Sequence, residues 1–287
     1  MKKIITTVLL AFGLFLSNAQ DDLLDELDAS VKDEKNYASA AFKSLKVVNF
    51  ETTKLIGKRQ FFFVVAHRFG SVRNGFDDFF GLDNANTRIQ FIYGISDGFN
   101  VGVSRSGFEE TYDAHIKYRI ARQVVNGFPF SISGYNLIAV NTELDADVFE
   151  GLNFNDRLRY TSQIIVSRKF SKSLSLLVAP TFFHDNFVQN DDQDNAQFAV
   201  GLGGRYKFSK RFSFNVDYGI HLNRADSSQF NNSFAIGVDI ETGGHVFQLH
   251  FSNAQGIFEN AFLGQASGDF FDGDFFFGFN LNRSFSF

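Results

Sequence analysis

The chain contains no cysteine and no tryptophan, one methionine and two prolines. Without cysteine there can be no disulfide, no thiol nucleophile, no thiolate metal site and no lipid anchor at a cleavage-site cysteine. Beyond the N-terminus no stretch reaches the roughly 18 apolar residues of a transmembrane helix. Basic residues are also scarce, with 27 against 32 acidic for a net charge of -5, which argues against nucleic acid as a partner. What the chain has instead is phenylalanine, 40 residues in 287. A 44% hydrophobic chain with a mean hydropathy of only -0.10 must scatter its apolar residues among polar ones. Alternation along strands does that. It is also how a membrane barrel shows lipid an apolar skin while keeping polar groups inside.

The first residues read as a targeting segment. Lys2 and Lys3 precede the apolar run Ile4–Leu16, and Ser17-Asn18-Ala19-Gln20 supplies small residues for a cut after Ala19. Removing residues 1–19 leaves 25 basic against 32 acidic groups, a net charge of -7. Residues 20–57 then form an N-terminal periplasmic or plug segment, and residues 58–287 form the barrel. Within the N-terminal segment, Leu23, Leu24, Leu27 and Val31 recur at helical spacing among Asp21, Asp22, Asp25, Glu26 and Asp28.

From Lys58 onward the period is two. Ile89, Phe91, Tyr93 and Ile95 share one face of a strand, Asp97-Gly98 makes a hairpin turn, and Phe99, Val101 and Val103 resume the pattern. Strands are predicted at 58–70, 86–96, 99–107, 111–122, 128–142, 154–170, 173–186, 196–208, 211–223, 232–242, 245–254 and 273–287. Their connections alternate. Tight links fall at Asp97-Gly98, Ser171-Lys172, Ser209-Lys210 and Gly243-Gly244, with a slightly longer one near Asn126-Gly127. Longer polar loops lie between them at 71–85, 143–153, 187–195, 224–231 and 255–272, and only the link near Gly107–Glu110 is short where a long one is due. Short periplasmic turns and long outer loops are the habit of outer-membrane barrels. The expected fold is therefore all-β: a transmembrane, up-and-down antiparallel barrel of about twelve strands in the cell outer membrane. Phe277, Phe279, Leu281, Phe285 and Phe287 alternate in the last strand. Of these, Phe279, Leu281, Phe285 and Phe287 look like the C-terminal signal read by the barrel assembly machinery, so that machinery and outer-membrane lipid are the expected partners.

Three segments, His67–Gly70 (HRFG), Phe76–Ala85 (FDDFFGLDNA) and Val101–Asp113 (VGVSRSGFEETYD), together resemble a Bacteroidetes-type outer-membrane β-barrel family of unknown function. The resemblance spans roughly residues 38–287. It implies the fold and the location, and it brings no activity or site residues.

Catalytic motifs are weak. Gly94-Ile95-Ser96-Asp97-Gly98 fits the spacing of a nucleophile elbow, but that elbow needs a strand-to-helix turn and a strand follows here. His250-Phe251-Ser252 has the His-x-Ser spacing of outer-membrane lipid deacylases. Those enzymes act on the outer wall, which Phe247, Leu249 and Phe251 occupy in this strand, so His250 and Ser252 are expected in the lumen. An outer-membrane lipid hydrolase is thus the remote alternative, and the chain is read as a non-enzyme with no catalytic residues. Asp191, Asp192 and Asp194 lack the glycine and terminal glutamate of a calcium loop. His67, His115, His184, His221, His245 and His250 show no short metal-ligand spacing. No cofactor or metal is expected.

The lumen carries more information. The polar phase of the strands places Arg68, Arg88, Lys117, Arg119, Arg157, Arg159, Lys169, Arg205 and Lys207 inside, against Asp113, Asp217, Asp239 and Glu241. Unpaired charge in a dry interior is very unfavourable. Such a lumen needs water and small anions, or an acidic element that enters it, or a ladder of internal ion pairs. Three roles follow: a narrow channel or transporter for small anionic solutes, the same barrel plugged by Asp21–Glu34, or a non-transporting barrel that binds an envelope protein partner. Phe76, Phe79, Phe80, Phe258, Phe262, Phe270 and Phe271 in the outer loops would then be a contact surface for the partner, or a folded-in lid.

Overall fold

Alternation has the outcome expected of it. The computed structural model describes residues 36–242 and 245–286, and among them twelve strands close into one barrel. They are β1 (Gln60–Ser71), β2 (Ala85–Ser96), β3 (Phe99–Ser106), β4 (Tyr112–Ala121), β5 (Ser131–Val140) and β6 (Leu158–Lys169), then β7 (Leu174–Asp185), β8 (Ala196–Lys207), β9 (Phe212–His221), β10 (Ser233–Thr242), β11 (His245–Ser252) and β12 (Phe276–Ser286). Each pairs antiparallel with its sequence neighbours, and β12 returns to β1 in the register Phe61↔Phe285 and His67↔Phe279. The signal segment 1–19, the acidic stretch Asp21–Glu34, Gly243-Gly244 and Phe287 lie outside the described residues.

The pattern of exposure is the inverse of a water-soluble sheet. Along β2, Ile89, Phe91, Tyr93 and Ile95 face outward and exposed, while Arg88 and Gln90 are buried on the inner face. An apolar outer skin around polar inner residues is what a bilayer selects. Phe279 and Phe285 belong to that skin. Phe279 stacks on His67 and Phe247, Phe285 lies 6.1 Å from Phe61, and Phe61 stacks in turn on Phe91. The seam where the barrel closes is therefore bound by aromatic contacts as well as by backbone hydrogen bonds.

Two loops show how the structure refines the sequence reading. Residues 154–157, expected as the start of a strand, form a 3-10 turn in which Asn153 and Asp156 cap each other's backbone, so Arg157 precedes β6. The loop after β11, whose aromatic residues left open a partner surface or a folded-in lid, folds back into the barrel. It carries the six-residue helix α1 (Glu259–Gly264), and Phe258 and Phe262 are fully buried. Both rings are too large and apolar to stay in water when an apolar lumen wall is in reach.

A second element enters from the mouth with the short turns. Residues 41–56 run up into the lumen, reverse at 46–51 and return to β1. The reversal is closed by the Val47 N–H donating to the Phe50 carbonyl (2.8 Å) and by a bridge between Lys46 and Glu51. The wall is shaped to admit it. A Cβ on Gly201 would strike the Phe50 ring, and one on Gly219 would stand 3.1 Å from Phe50 and 2.7 Å from Leu263 of α1. Phe50 and Phe262 meet edge to face at 5.0 Å. The apolar core of this protein is thus inside the barrel, built from Phe42, Val47 and Phe50 of the N-terminal segment, Phe258, Phe262 and Leu263 of the folded-in loop, and wall residues such as Leu137, Ile165, Leu177 and Phe183.

Candidate functional site

The middle of the lumen is where wall, N-terminal segment and α1 converge. Asp217 on β9 points inward, and its Oδ2 accepts hydrogen bonds from the backbone N–H groups of Val48 (2.9 Å), Asn49 (2.7 Å) and Phe50 (3.3 Å). Successive N–H groups at a tight turn form an anion-binding nest, and here the wall supplies the anion. The side chain of Asn49 donates to Ser252 Oγ at 3.1 Å and accepts from Arg68 Nη2 at 3.3 Å. Gln248 donates to the Val47 carbonyl, and Asn280 to the Val48 carbonyl at 3.3 Å. The tip of the segment is held by polar contacts from β1, β9, β11 and β12, with Val47 and Phe50 packed in the apolar core beside them.

Next to it lies a buried charge cluster. Lys46 Nζ is 3.1 Å from Glu51 and 3.7 Å from Glu259, and Lys117 Nζ is 2.9 Å from Glu51. Burial pushes the Glu51 carboxyl up, but Lys117, Lys46 and His115 outweigh it and hold Glu51 well below the ordinary carboxylate range. Glu259 goes the other way. Burial raises it, Lys46 opposes that only in part, and its carboxylate oxygens make no hydrogen bond. Lys46 therefore adds an ionic link between the N-terminal segment and α1 to the Phe50–Phe262 contact.

Of the basic residues expected in the lumen, most are paired. Arg88 makes a two-pronged contact with Asp113 (2.8 Å to each oxygen) and donates to the Ile257 carbonyl at 3.2 Å. Arg159 sits between Glu109 and Asp185, the latter 3.2 Å from its Nε. Glu241 accepts from Arg205 at 2.6 Å and Lys207 at 3.5 Å. Arg68 is fully buried and donates to Asn280. Arg119, Arg157 and Lys169 lie half-exposed near the strand ends, where Arg157 reaches the Thr142 carbonyl and Lys169 reaches Ser39. Asp239 accepts from Gln248 at 2.7 Å. His250 and Ser252 are both buried on the inner face, with the Ser252 hydroxyl occupied by Asn49.

The acidic partners the sequence reading lacked are Glu51, Glu109, Asp185 and Glu259. Asp185 was within reach, since it closes β7 in the inward phase. The others come from segments without strand periodicity, and nothing in their spacing assigns them to the lumen.

Lys54, on the return limb, gives a pH-dependent handle. Burial, together with the neighbouring charges of Lys43 and Lys117, lowers it to about 8, with Glu241 opposing and Arg205 adding to the effect. Its ordinary value is 10.5, so the docked segment favours the uncharged amine. Docking should tighten as pH rises from about 8 to about 10.5, and the penalty is fully present below that window. Lys54→Gln removes the titrating group, so it is expected to dock more firmly at neutral pH and to lose the pH dependence. Protease cleavage after Lys43 and Lys46, followed at pH 7.5 and 10, reads both effects.

The space between Lys46, Glu51, Arg88 and Asn280 is about 10 Å³, room for about one water. At the long-loop mouth a cavity of about 480 Å³ remains, floored by Arg159, Asp185 and the end of α1.

No curated protein matches the chain significantly. Among solved structures the chain is similar to a KdgM porin (8% identity, 79% of this chain and 99% of that one, TM-score 0.45). It is also similar to the COG4313 outer membrane channel from Pseudomonas putida F1 (13%, 81% and 97%, TM-score 0.46). A third is the Acinetobacter baumannii outer membrane protein Omp33 (12%, 79% and 99%, TM-score 0.42). These are likenesses of barrel fold. The family model of a membrane-bound β-barrel domain (DUF5777) matches residues 42–285, which takes in the luminal segment together with all twelve strands. The chain is an outer-membrane β-barrel, and it belongs to that family.

Proposed function

We propose that this barrel is a gated channel for small polar solutes, held shut by residues 41–56 from one mouth and by α1 from the other. The observation that carries the reading is the Asp217 latch, where one wall carboxylate holds three backbone N–H groups of the segment's tip. A permanent filling would be served as well by apolar packing. The polar contacts at Asp217 can be exchanged for water when the tip leaves, whereas release also withdraws Val47 and Phe50 from the apolar core, which keeps it infrequent.

The anion preference expected from the sequence is not carried forward. Five of the nine basic residues that suggested it, Arg88, Lys117, Arg159, Arg205 and Lys207, are engaged by Glu51, Glu109, Asp113, Asp185 and Glu241. A path opened here would be lined by ion pairs and amides, suited to polar solutes of either sign or none.

The absence of native cysteine makes a clean lock available. Thr53 Oγ and Ser167 Oγ on β6 are 2.5 Å apart, so a Thr53→Cys/Ser167→Cys pair places two sulfurs near bonding distance. In planar bilayers the oxidised pair is expected to lose the brief openings of the native barrel, and reduction should restore them. Equal activity in both redox states would count against the segment as the gate.

A second reading, a barrel that docks an envelope partner, is supported by one observation. Phe76 and Phe271 in the long loops remain 82% and 90% exposed, with Phe79 and Phe80 beside the former. Co-purification from native membranes tests it, and recovery only as a free monomer would oppose it.

A further inference from the structure

The cavity at the long-loop mouth has a composition of its own. Its volume of about 480 Å³ falls within the roughly 300–1,000 Å³ of small-molecule sites. Charge on its lining is already spent: Arg159 is clasped by Glu109 and Asp185, leaving one excess negative charge, and among the described residues no other cationic side chain lines it. The adjoining loop adds Asp192, whose carboxylate accepts from the Ser227 hydroxyl at 2.8 Å. An anionic ligand would meet repulsion here without a compensating partner.

The remaining polar lining is carboxamide and hydroxyl. Gln193 is fixed by the backbone, donating to the Asn223 carbonyl (3.1 Å) and accepting from the Ala225 N–H (2.9 Å). Gln189 and Gln229 line the same cavity, and among the described residues neither side chain makes a hydrogen bond within the protein. A carboxamide both donates and accepts, which matches hydroxyl groups that do the same. Phe187, whose ring meets Phe149 edge to face at 4.9 Å, and Phe230 line the cavity as well and give it an aromatic side. Free carboxamides beside aromatic faces, with no net positive charge, suit a ligand that is polar at its edge, apolar on its face and uncharged.

We propose that this mouth cavity binds a short uncharged oligosaccharide. The ligand's hydroxyls would bond to Gln189 and Gln229, and its C–H faces would lie on Phe187 and Phe230. Its floor is Gly264 and Gln265, the end of α1, where Gln265 donates to Glu109 at 3.2 Å and Arg224 holds the Leu263 and Gly264 carbonyls at 2.8 and 3.0 Å. An occupant therefore touches the element that closes the lumen. The binding itself does not depend on the gate proposed above and is measured without any current.

The test is calorimetry on the full chain in an amine-oxide detergent, which carries no sugar. The probes are maltotriose, cellotriose, xylotriose and mannotriose, each run beside digalacturonate. At least one neutral glycan is expected to bind with a Kd of about 1 mM or tighter, and digalacturonate about tenfold more weakly. Gln189→Ala/Gln229→Ala should weaken the neutral glycan about tenfold or more, the loss of two hydrogen bonds, with the heat-modifiable gel shift of the barrel unchanged. Failure of all four neutral glycans, a uronide bound as tightly as they are, or an unaltered affinity in the double variant would overturn the proposal.

Discussion

Replacing Asp217 with alanine is expected to convert a barrel that is closed nearly all the time into one that conducts steadily. Three buried N–H groups, of Val48, Asn49 and Phe50, lose their common acceptor at once. A hydrogen bond to a charged acceptor contributes about 1.5–3 kcal/mol, and bonds sharing one atom are not additive, so about 3–6 kcal/mol is the expected loss in docking. At 1.4 kcal/mol per tenfold, that shifts the ratio of docked to released segment by about 10² to 10⁴. Asp217→Asn keeps one acceptor oxygen without the charge and should fall between the native and alanine barrels. The wall should survive both changes, because the β9 ladder with β8 and β10 is made by backbone groups. Single-channel recording gives open probability directly, and the gel shift of the folded barrel controls for assembly.

Lys46→Met is expected to have the other large effect, separating the N-terminal segment from α1. Lys46 is the cation between Glu51 and Glu259, and it also donates to the Asn49 carbonyl at 2.9 Å. Breaking a buried pair by removing one partner typically destabilises by about 3–5 kcal/mol, because the other charge stays behind. Glu51 retains Lys117, whereas Glu259 loses the nearest cation it has. Burial already holds Glu259 above the ordinary carboxylate range. A carboxyl raised in the folded state favours folding below its raised value and loses that contribution as pH rises through it. The defect of Lys46→Met should accordingly shrink in acid and be largest at neutral pH. Adding Glu259→Gln removes the stranded charge and should recover most of the lost stability. Urea unfolding of the four barrels in that cycle, at pH 5 and 7.5, tests both statements, and a purely additive result would oppose the link.

The wall of this protein was legible residue by residue because the bilayer imposes a period of two on every strand. Ile89, Phe91 and Tyr93 face lipid and Arg88 and Gln90 face inward for the same reason that a one-residue slip would expose charge to hydrocarbon. The same phase placed Arg68, Arg88, Lys117 and Asp217 in the lumen. It could not say what they meet there. Their partners Asn49, Glu51 and Ile257 belong to segments that have no period, and whose positions depend on contacts distant in sequence. The basic excess pointed to an acidic element from outside the strands. Glu51, Glu109 and Glu259 now fill that place within the described residues, whereas the acidic stretch Asp21–Glu34 lies outside them. Phe258 and Phe262 left two readings open for a related reason, since an aromatic loop reads alike whether it seeks a partner or its own lumen. Gly201 and Gly219 were the available clue, two small residues on inner faces opposite a ring that needs room.

The central claim is that the N-terminal segment is a removable gate, and the barrel carrying Asp217→Ala with Thr53→Cys/Ser167→Cys tests it most directly. The disulfide would sit three residues from Phe50 and hold that half of the segment inside even when the latch is gone. Ion current through a single reconstituted barrel should be near zero when the pair is oxidised and should rise to the open level on reduction, reversibly. The same current in both redox states, or none in either, would contradict the account.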